Sequence, residues 1–289
     1  MLRSRQVSAS VSPLNNKMHT KVKAIIEVVT VYFLTLLLIA LVGLSSIGKW
    51  ERQVSNRFFI EYAVMIAFPL LFLVVTRKNL TSYGLSLRNV SYHLDMTATA
   101  FVPVAIASAL LAFINYTKWS GAFILAGVQI TVLFTLGWLL KRKPTQNENG
   151  ILVGAILLIT YSNFAQKATL GNAISAIFFY VFFLGLGEEL LFRGYIQSRL
   201  NAVFGKPFQF HGVNWGWGII IASALFAFMH VLNIGSLVSG DWKLAWWWGF
   251  WTFFGGLVLG FVREKTGSIA ASTLLHGLPQ AIAYAILGL

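Results

Sequence analysis

The sequence predicts an all-α fold: a polytopic transmembrane helical bundle with about eight or nine membrane segments. Three observations predict it. The 289 residues are 57% hydrophobic and only 11% charged, where a soluble domain carries roughly 25% charged residues, and the mean hydropathy is +0.73. Apolar stretches recur that are long enough for the roughly 20 residues a helix needs to cross hydrocarbon. These stretches lack the strict alternation of a transmembrane β-barrel.

The elements follow in order. Residues 1–23 are polar and basic, with Arg3, Arg5, Lys17, Lys21 and Lys23, and read as a cytoplasmic segment. The apolar stretch behind them is too long for a signal-peptide core and lacks a clear small-residue cleavage site. It reads as a retained first span. Spans are expected at 24–46, 58–76, 97–115, 121–140, 172–192, 213–233, 245–263 and 267–288. A ninth apolar segment, "ILVGAILLITYSN" at 151–163, is short and reads as a thin crossing or a re-entrant piece. Polar linkers divide the spans, among them "RKNLTSYGLSLRN", "KRKPTQNENG" and "FGKPFQFHG". The organisation expected is a basic segment at 1–23, amino-terminal membrane helices at 24–150, and a core at 151–289.

The net charge of +13 would suggest a nucleic-acid binder in a soluble protein. Here the basic residues sit between apolar segments, where lysine and arginine set topology and meet anionic lipid. Nucleic acid is therefore not an expected partner, and membrane lipid is. With the amino terminus inside and segment 151–163 crossing, the inner segments hold 16 of the 22 Lys and Arg and the outer loops 6. The expected location is a bacterial cytoplasmic membrane, multi-pass, with the amino terminus inside. The chain has no cysteine, which excludes disulfides, thiolate metal sites and a cysteine nucleophile.

Among nine acidic residues and five histidines, four lie well inside apolar segments: Glu188, Glu189, His230 and His276. An ionisable side chain in the membrane loses several kcal/mol of hydration unless it is paired or faces water, so such residues mark functional sites by default. Glu189 and Arg193 are four apart and share a helix face, where they can pair. A helix-end salt bridge at the membrane interface is the structural reading of that pair. Glu188 lies about 100° round from Glu189 and points elsewhere. Position 209, in the linker "GKPFQFHG", is equidistant from Glu188 and His230, so a hairpin there brings the two to similar depth. Phe226 precedes His230 by one turn and Asn233 follows it by three residues, so both can line the same face. His276 has Gln280 four residues on, and Pro279 removes a backbone donor and should loosen that turn. Gly255, Gly256 and Gly260 allow close helix approach. Trp246, Trp247 and Trp248 suit a membrane interface.

Taken together, these segments resemble the CAAX-protease and bacteriocin-processing family, also called Abi, which includes the type II CAAX prenyl endopeptidases. Its first motif, two glutamates with an arginine four after the second, appears as Glu188, Glu189 and Arg193. Its second, a phenylalanine with a histidine four later, appears as Phe226 and His230. Its third, a histidine with an asparagine four later, has His276 but Gln280 in the amide place. Thr266 to Ile269, "TGSI", is also similar. The resemblance covers roughly 150–289. It implies an intramembrane protease in which Glu188 and His230 activate a water and His276 and Gln280 stabilise the oxyanion.

The same residues suit that chemistry on their own terms, since amide hydrolysis needs an activated water, a proton relay and an oxyanion donor. The expected partner is a peptide or protein substrate. No cofactor is favoured. Zinc held by Glu188, His230 and His276 is the alternative, although no H-E-x-x-H pair is present. Two other functions compete. One is a non-catalytic scaffold or bacteriocin-immunity protein of the same fold, suggested by Gln280. The other is a proton-coupled transporter using Glu188 and His230 as a relay, against which no inverted repeat is visible.

Overall fold

The computed structural model describes residues 13–86, 88–141 and 170–287. The short apolar segment at 151–163 and the expected boundary at 150/151 lie outside the described residues. The helices are α1 (Pro13–Leu44), α2 (Ser46–Ser55), α3 (Phe59–Val75), α4 (Val90–Ala109) and α5 (Trp119–Leu139). Then come α6 over 170–204, a β-hairpin of β1 (Phe208–Phe210) and β2 (Val213–Trp215), and α7 (Trp217–Leu232). The short α8 (Ile234–Val238), α9 (Trp246–Thr266) and α10 (Ala270–Leu287) complete the chain.

A helix therefore occupies each of the eight expected spans, with corrections at the ends. The span expected at 213–233 begins only at Trp217, because Val213–Trp215 pairs antiparallel with Phe208–Phe210. The turn is His211-Gly212, both at positive φ (48° and 79°), which matches the right-handed twist of the strands. This hairpin is the one departure from an all-α fold among the described residues. The span expected at 97–115 sits earlier, at Val90–Ala109, and that expected at 172–192 continues to Phe204. α2 falls in what reads as a linker. It is a polar helix capped by Ser45, whose hydroxyl accepts from the Gly48 N–H, and it ends at Asn56 in the left-handed conformation. α10 runs helically through Pro279.

Among the described residues, four helical stretches are long and apolar enough to cross a membrane: Met18–Leu44, Trp119–Leu139, Ile174–Phe204 and Trp217–Val238. α3 is apolar but shorter. The exterior is apolar as well, with Phe33, Leu37, Phe123 and Phe134 among the large side chains turned outward. Lipid tails can accept that surface, and the helices satisfy their own backbone groups.

Two apolar clusters hold the bundle. One joins Val28, Val31 and Tyr32 of α1 to Leu191, Phe192 and Tyr195 of α6 and Phe226 of α7. The other joins Met96 and Phe101 of α4 to Val132 and Leu136 of α5, Val262 of α9 and Leu275 of α10. The amino-terminal helices thus share their core with the carboxy-terminal ones. Gly256 and Gly260 allow α9 to meet its neighbours closely. A Cβ on Gly256 would lie 2.9 Å from Ser223 Cβ, and one on Gly260 3.0 Å from Gln197 Oε1. Gly255 meets nothing nearer than Gln129 at 3.8 Å, so no close approach depends on it.

The bundle has two faces. At the proximal face, where α1 begins, Arg199 at the end of α6 pairs with Glu27 at 2.9 Å. There too the Ser268 hydroxyl donates to the Gly84 carbonyl at 3.1 Å, and the Tyr92 hydroxyl to the Lys265 carbonyl at 3.2 Å. At the distal face, Arg57 lies 4.6 Å from the Tyr284 ring centre and donates to the Ser175 carbonyl at 3.2 Å. The chain leaves the described residues at Lys141 on the proximal face and returns at Leu170 on the distal one.

Candidate active site

The site is built on α6, which is not a regular helix. Ordinary turns at Leu170–Ile177 give way to a wide π segment at Phe178–Gly185. One α turn, Leu186–Glu189, follows, and then a second π segment at Leu190–Gln197. Wide turns of this kind are rare and concentrate at functional sites, because they re-aim side chains that regular pitch would bury elsewhere. Here they flank the two glutamates. α10 docks directly on the first wide segment, where a Cβ on Gly277 would collide with the Tyr180 carbonyl.

Glu189 and Arg193 pair at 2.9 Å, as their spacing predicts. The expected position at a helix end is corrected: both are fully buried in the middle of the bundle, at 0% and 1% exposure. The guanidinium also donates to the Gly256 carbonyl at 3.2 Å and lies 4.5 Å from the Phe226 ring centre. It is thus tied to α6, α9 and α7 together. Charged groups so buried persist only when paired and hydrogen-bonded.

His276 on α10 reaches both carboxylates. Its Nδ1 lies 3.1 Å from Glu189 Oε1 and its Nε2 3.5 Å from Glu188 Oε2. A carboxylate only accepts, so the first contact puts a proton on Nδ1. Glu188 points away from Arg193, as expected of its place on the helix, and Tyr62 on α3 donates to its Oε1 at 3.3 Å. Glu188 Oε2 is buried and has no hydrogen-bond partner among the described residues.

On α7, His230 Nδ1 donates to the Phe226 carbonyl at 2.9 Å. A carbonyl cannot donate, so Nδ1 carries the proton and neutral His230 presents the lone pair of Nε2. The His230 ring stacks edge-on against Phe226 at 4.5 Å and against Trp248 at 4.9 Å. Trp248, expected at the membrane interface, instead forms part of the cavity wall, whereas Trp246 is exposed. Asn233 ends α7 in the left-handed conformation and its side chain accepts from the Ser236 N–H at 3.4 Å, capping α8.

These residues line one cavity of about 970 Å³. Glu188, Phe226, His230, Asn233, His276 and Gln280 all contribute to its wall. Glu189 and Arg193 lie behind it and support it. Tyr62 and Glu61 also line it and were not singled out by sequence, and Trp248 joins them from the run expected at the interface. A tyrosine next to a carboxylate inside an apolar segment was the available signal for Tyr62. Among the described residues, no three His, Asp or Glu side chains are gathered so as to hold a metal ion.

Residues 170–282 match the family model described as type II CAAX prenyl endopeptidase Rce1-like. This is the family that the three motifs resemble, and the matched stretch contains all of them. No curated protein and no solved structure matches the chain.

Proposed function

We propose, from that match and from the cavity it encloses, that this chain is an intramembrane endopeptidase whose long helices lie together in the membrane. The observation that carries the reading is Glu188: a buried carboxylate on a cavity wall, with one oxygen held by Tyr62 and the other without a hydrogen bond among the described residues, 3.5 Å from His276 Nε2. A carboxylate oxygen with no hydrogen bond is costly in an apolar setting, and a polar ligand such as water would satisfy it. In the proposed reaction Glu188 takes up the proton of that water, while His230 Nε2 accepts a hydrogen bond from its other O–H and orients it. Its oxygen attacks the peptide carbonyl carbon, and the tetrahedral oxyanion accepts hydrogen bonds from Gln280 and from the Nε2–H of His276 as an imidazolium, whose Nδ1–H stays on Glu189. The proton then passes to the amide nitrogen and the C–N bond breaks. Glu189, held by Arg193, orients His276.

The test is hydrolysis of a peptide library by purified protein in lipid, beside Glu188→Ala, with and without a strong chelator. Glu188→Ala should accumulate in the membrane and cleave nothing. Full activity in that variant would sink the mechanism. Chelator-sensitive cleavage restored by zinc would instead make Glu188, His230 and His276 metal ligands.

Gln280 favours one rival. Glutamine stands where the family motif has asparagine, and its longer arm places the amide differently. A chain that binds a peptide in this cavity without cutting it would keep its phenotype in Glu188→Ala and lose it on bulky substitution of the cavity wall.

A further inference from the structure

The cavity draws on the distal part of the helices around it and reaches inward as far as Glu188 and His276 at mid-helix. α1 contributes Ile39, near its end, and α3 contributes Tyr62 and Met65, near its start. α4 contributes Phe101 to Ala109, α7 Phe226 onward, and α9 Trp248 to Thr252. Beyond α4, Phe113 and Tyr116 reach the rim, and Phe113 is 85% exposed. Toward the proximal face the cavity is closed by the Glu189–Arg193 pair. Beneath it Glu264 accepts from Gln197 Nε2 at 2.6 Å and from Asn201, and pairs with Lys206. The cavity therefore has a floor and opens on the distal side.

The cations are distributed oppositely. Lys21, Lys23, Arg77, Lys78, Arg88, Lys141, Arg199, Lys206 and Lys265 stand at the proximal ends of their helices. A proximal pocket of about 510 Å³ is itself edged by Lys23, Lys78 and Arg199. The distal ends hold Lys49, Arg52, Arg57, Lys118 and Lys243. Three of these are engaged by the protein: Arg52 pairs with Glu61 at 3.0 Å, Arg57 lies against the Phe179, Tyr180 and Tyr284 rings, and Lys243 pairs with Asp241 at 3.0 Å. Lysine and arginine near span ends are retained on the cytoplasmic side, where anionic lipid adds about 1 kcal/mol for each.

We infer that the mouth of the cavity faces the non-cytoplasmic side of the membrane, and that the peptide it takes is an apolar segment of an exported or membrane-tethered chain. The orientation follows from the fold and the charges alone. The substrate class rests on the protease reading above. A prenylated cytosolic tail would approach the closed side of the bundle.

The chain lacks cysteine, so single cysteines can be read without background. Phe113→Cys and Asp241→Cys probe the distal face, and Lys78→Cys the proximal one. Intact cells are treated with a membrane-impermeant maleimide, before or after permeabilisation. Labelling of Asp241→Cys in intact cells, with Lys78→Cys labelled only after permeabilisation, is the expected result. Labelling of Lys78→Cys in intact cells overturns the inference, whether or not Asp241→Cys is also labelled. So does an Asp241→Cys that needs permeabilisation. Phe113→Cys should follow Asp241→Cys and locates the rim. None of this depends on activity, so a failure to cut any peptide would count against the protease reading and leave the orientation decided.

Discussion

The Tyr62 hydroxyl and Glu188 Oε1 are 3.3 Å apart, although 126 positions separate them in the chain. The bond reaches from α3, outside the matched family stretch, to the carboxylate proposed to activate water. A hydrogen bond to a charged group contributes about 1.5–3 kcal/mol. Tyr62→Phe should therefore lower kcat about 10- to 100-fold while KM changes little. A loss confined to KM would show that Tyr62 only contacts the peptide. Thermal midpoints of Tyr62→Phe, Glu188→Ala and the double variant give a second reading: additive shifts would mean the two side chains do not interact.

Arg193 is expected to matter more for folding than for chemistry. Removing one partner of a buried ion pair leaves an uncompensated charge and costs about 3–5 kcal/mol. Arg193→Met should accumulate poorly and unfold early in detergent. Combining it with Glu189→Gln should restore much of the stability, because the stranded charge is then gone. Activity should stay low in the double variant, since His276 loses its charged partner. Equal stability of the single and double variants would argue against the pair as a structural unit.

A methyl group beside His276 should be poorly tolerated. Gly277→Ala puts a Cβ against the Tyr180 carbonyl and within 2.6 Å of Val181 Cα. Backbone cannot yield as a side-chain end can, so α10 must move off α6 and carry His276 away from Glu189. The expected outcome is a lowered thermal midpoint together with lost cleavage. Gly127→Ala is the control: a Cβ there meets nothing within 4 Å, and helix propensity favours alanine by about 1 kcal/mol. Equal midpoints for these two variants would refute the close-contact explanation.

Gln280 decides between a catalytic amide and a spacer. Removing an oxyanion donor costs about 10²–10³ in kcat. Gln280→Ala should show a loss of that order at nearly constant KM, and Gln280→Asn should keep more activity than Gln280→Ala. If kcat in Gln280→Ala matches the parent chain, Gln280 lines the cavity and does no more.

The sequence alone determined the membrane-protein class, because 57% hydrophobic residues in long runs leave few other ways to satisfy backbone and side chains. It also determined the Glu189–Arg193 pair, a contact set by helix pitch over four residues, and the antiparallel return of α7 against α6. Periodicity could not show that α6 widens on both sides of its glutamates, since an apolar run reads the same at either pitch. Nor could it show Tyr62 beside Glu188 or Trp248 beside His230. Those contacts depend on which helix faces meet, and uniformly apolar helices leave that choice open in their residue pattern. The direction in which the cavity opens was likewise settled by tertiary structure: the charges are visible in the chain, but the floor beneath the site exists only once Glu264, Gln197 and Asn201 come together.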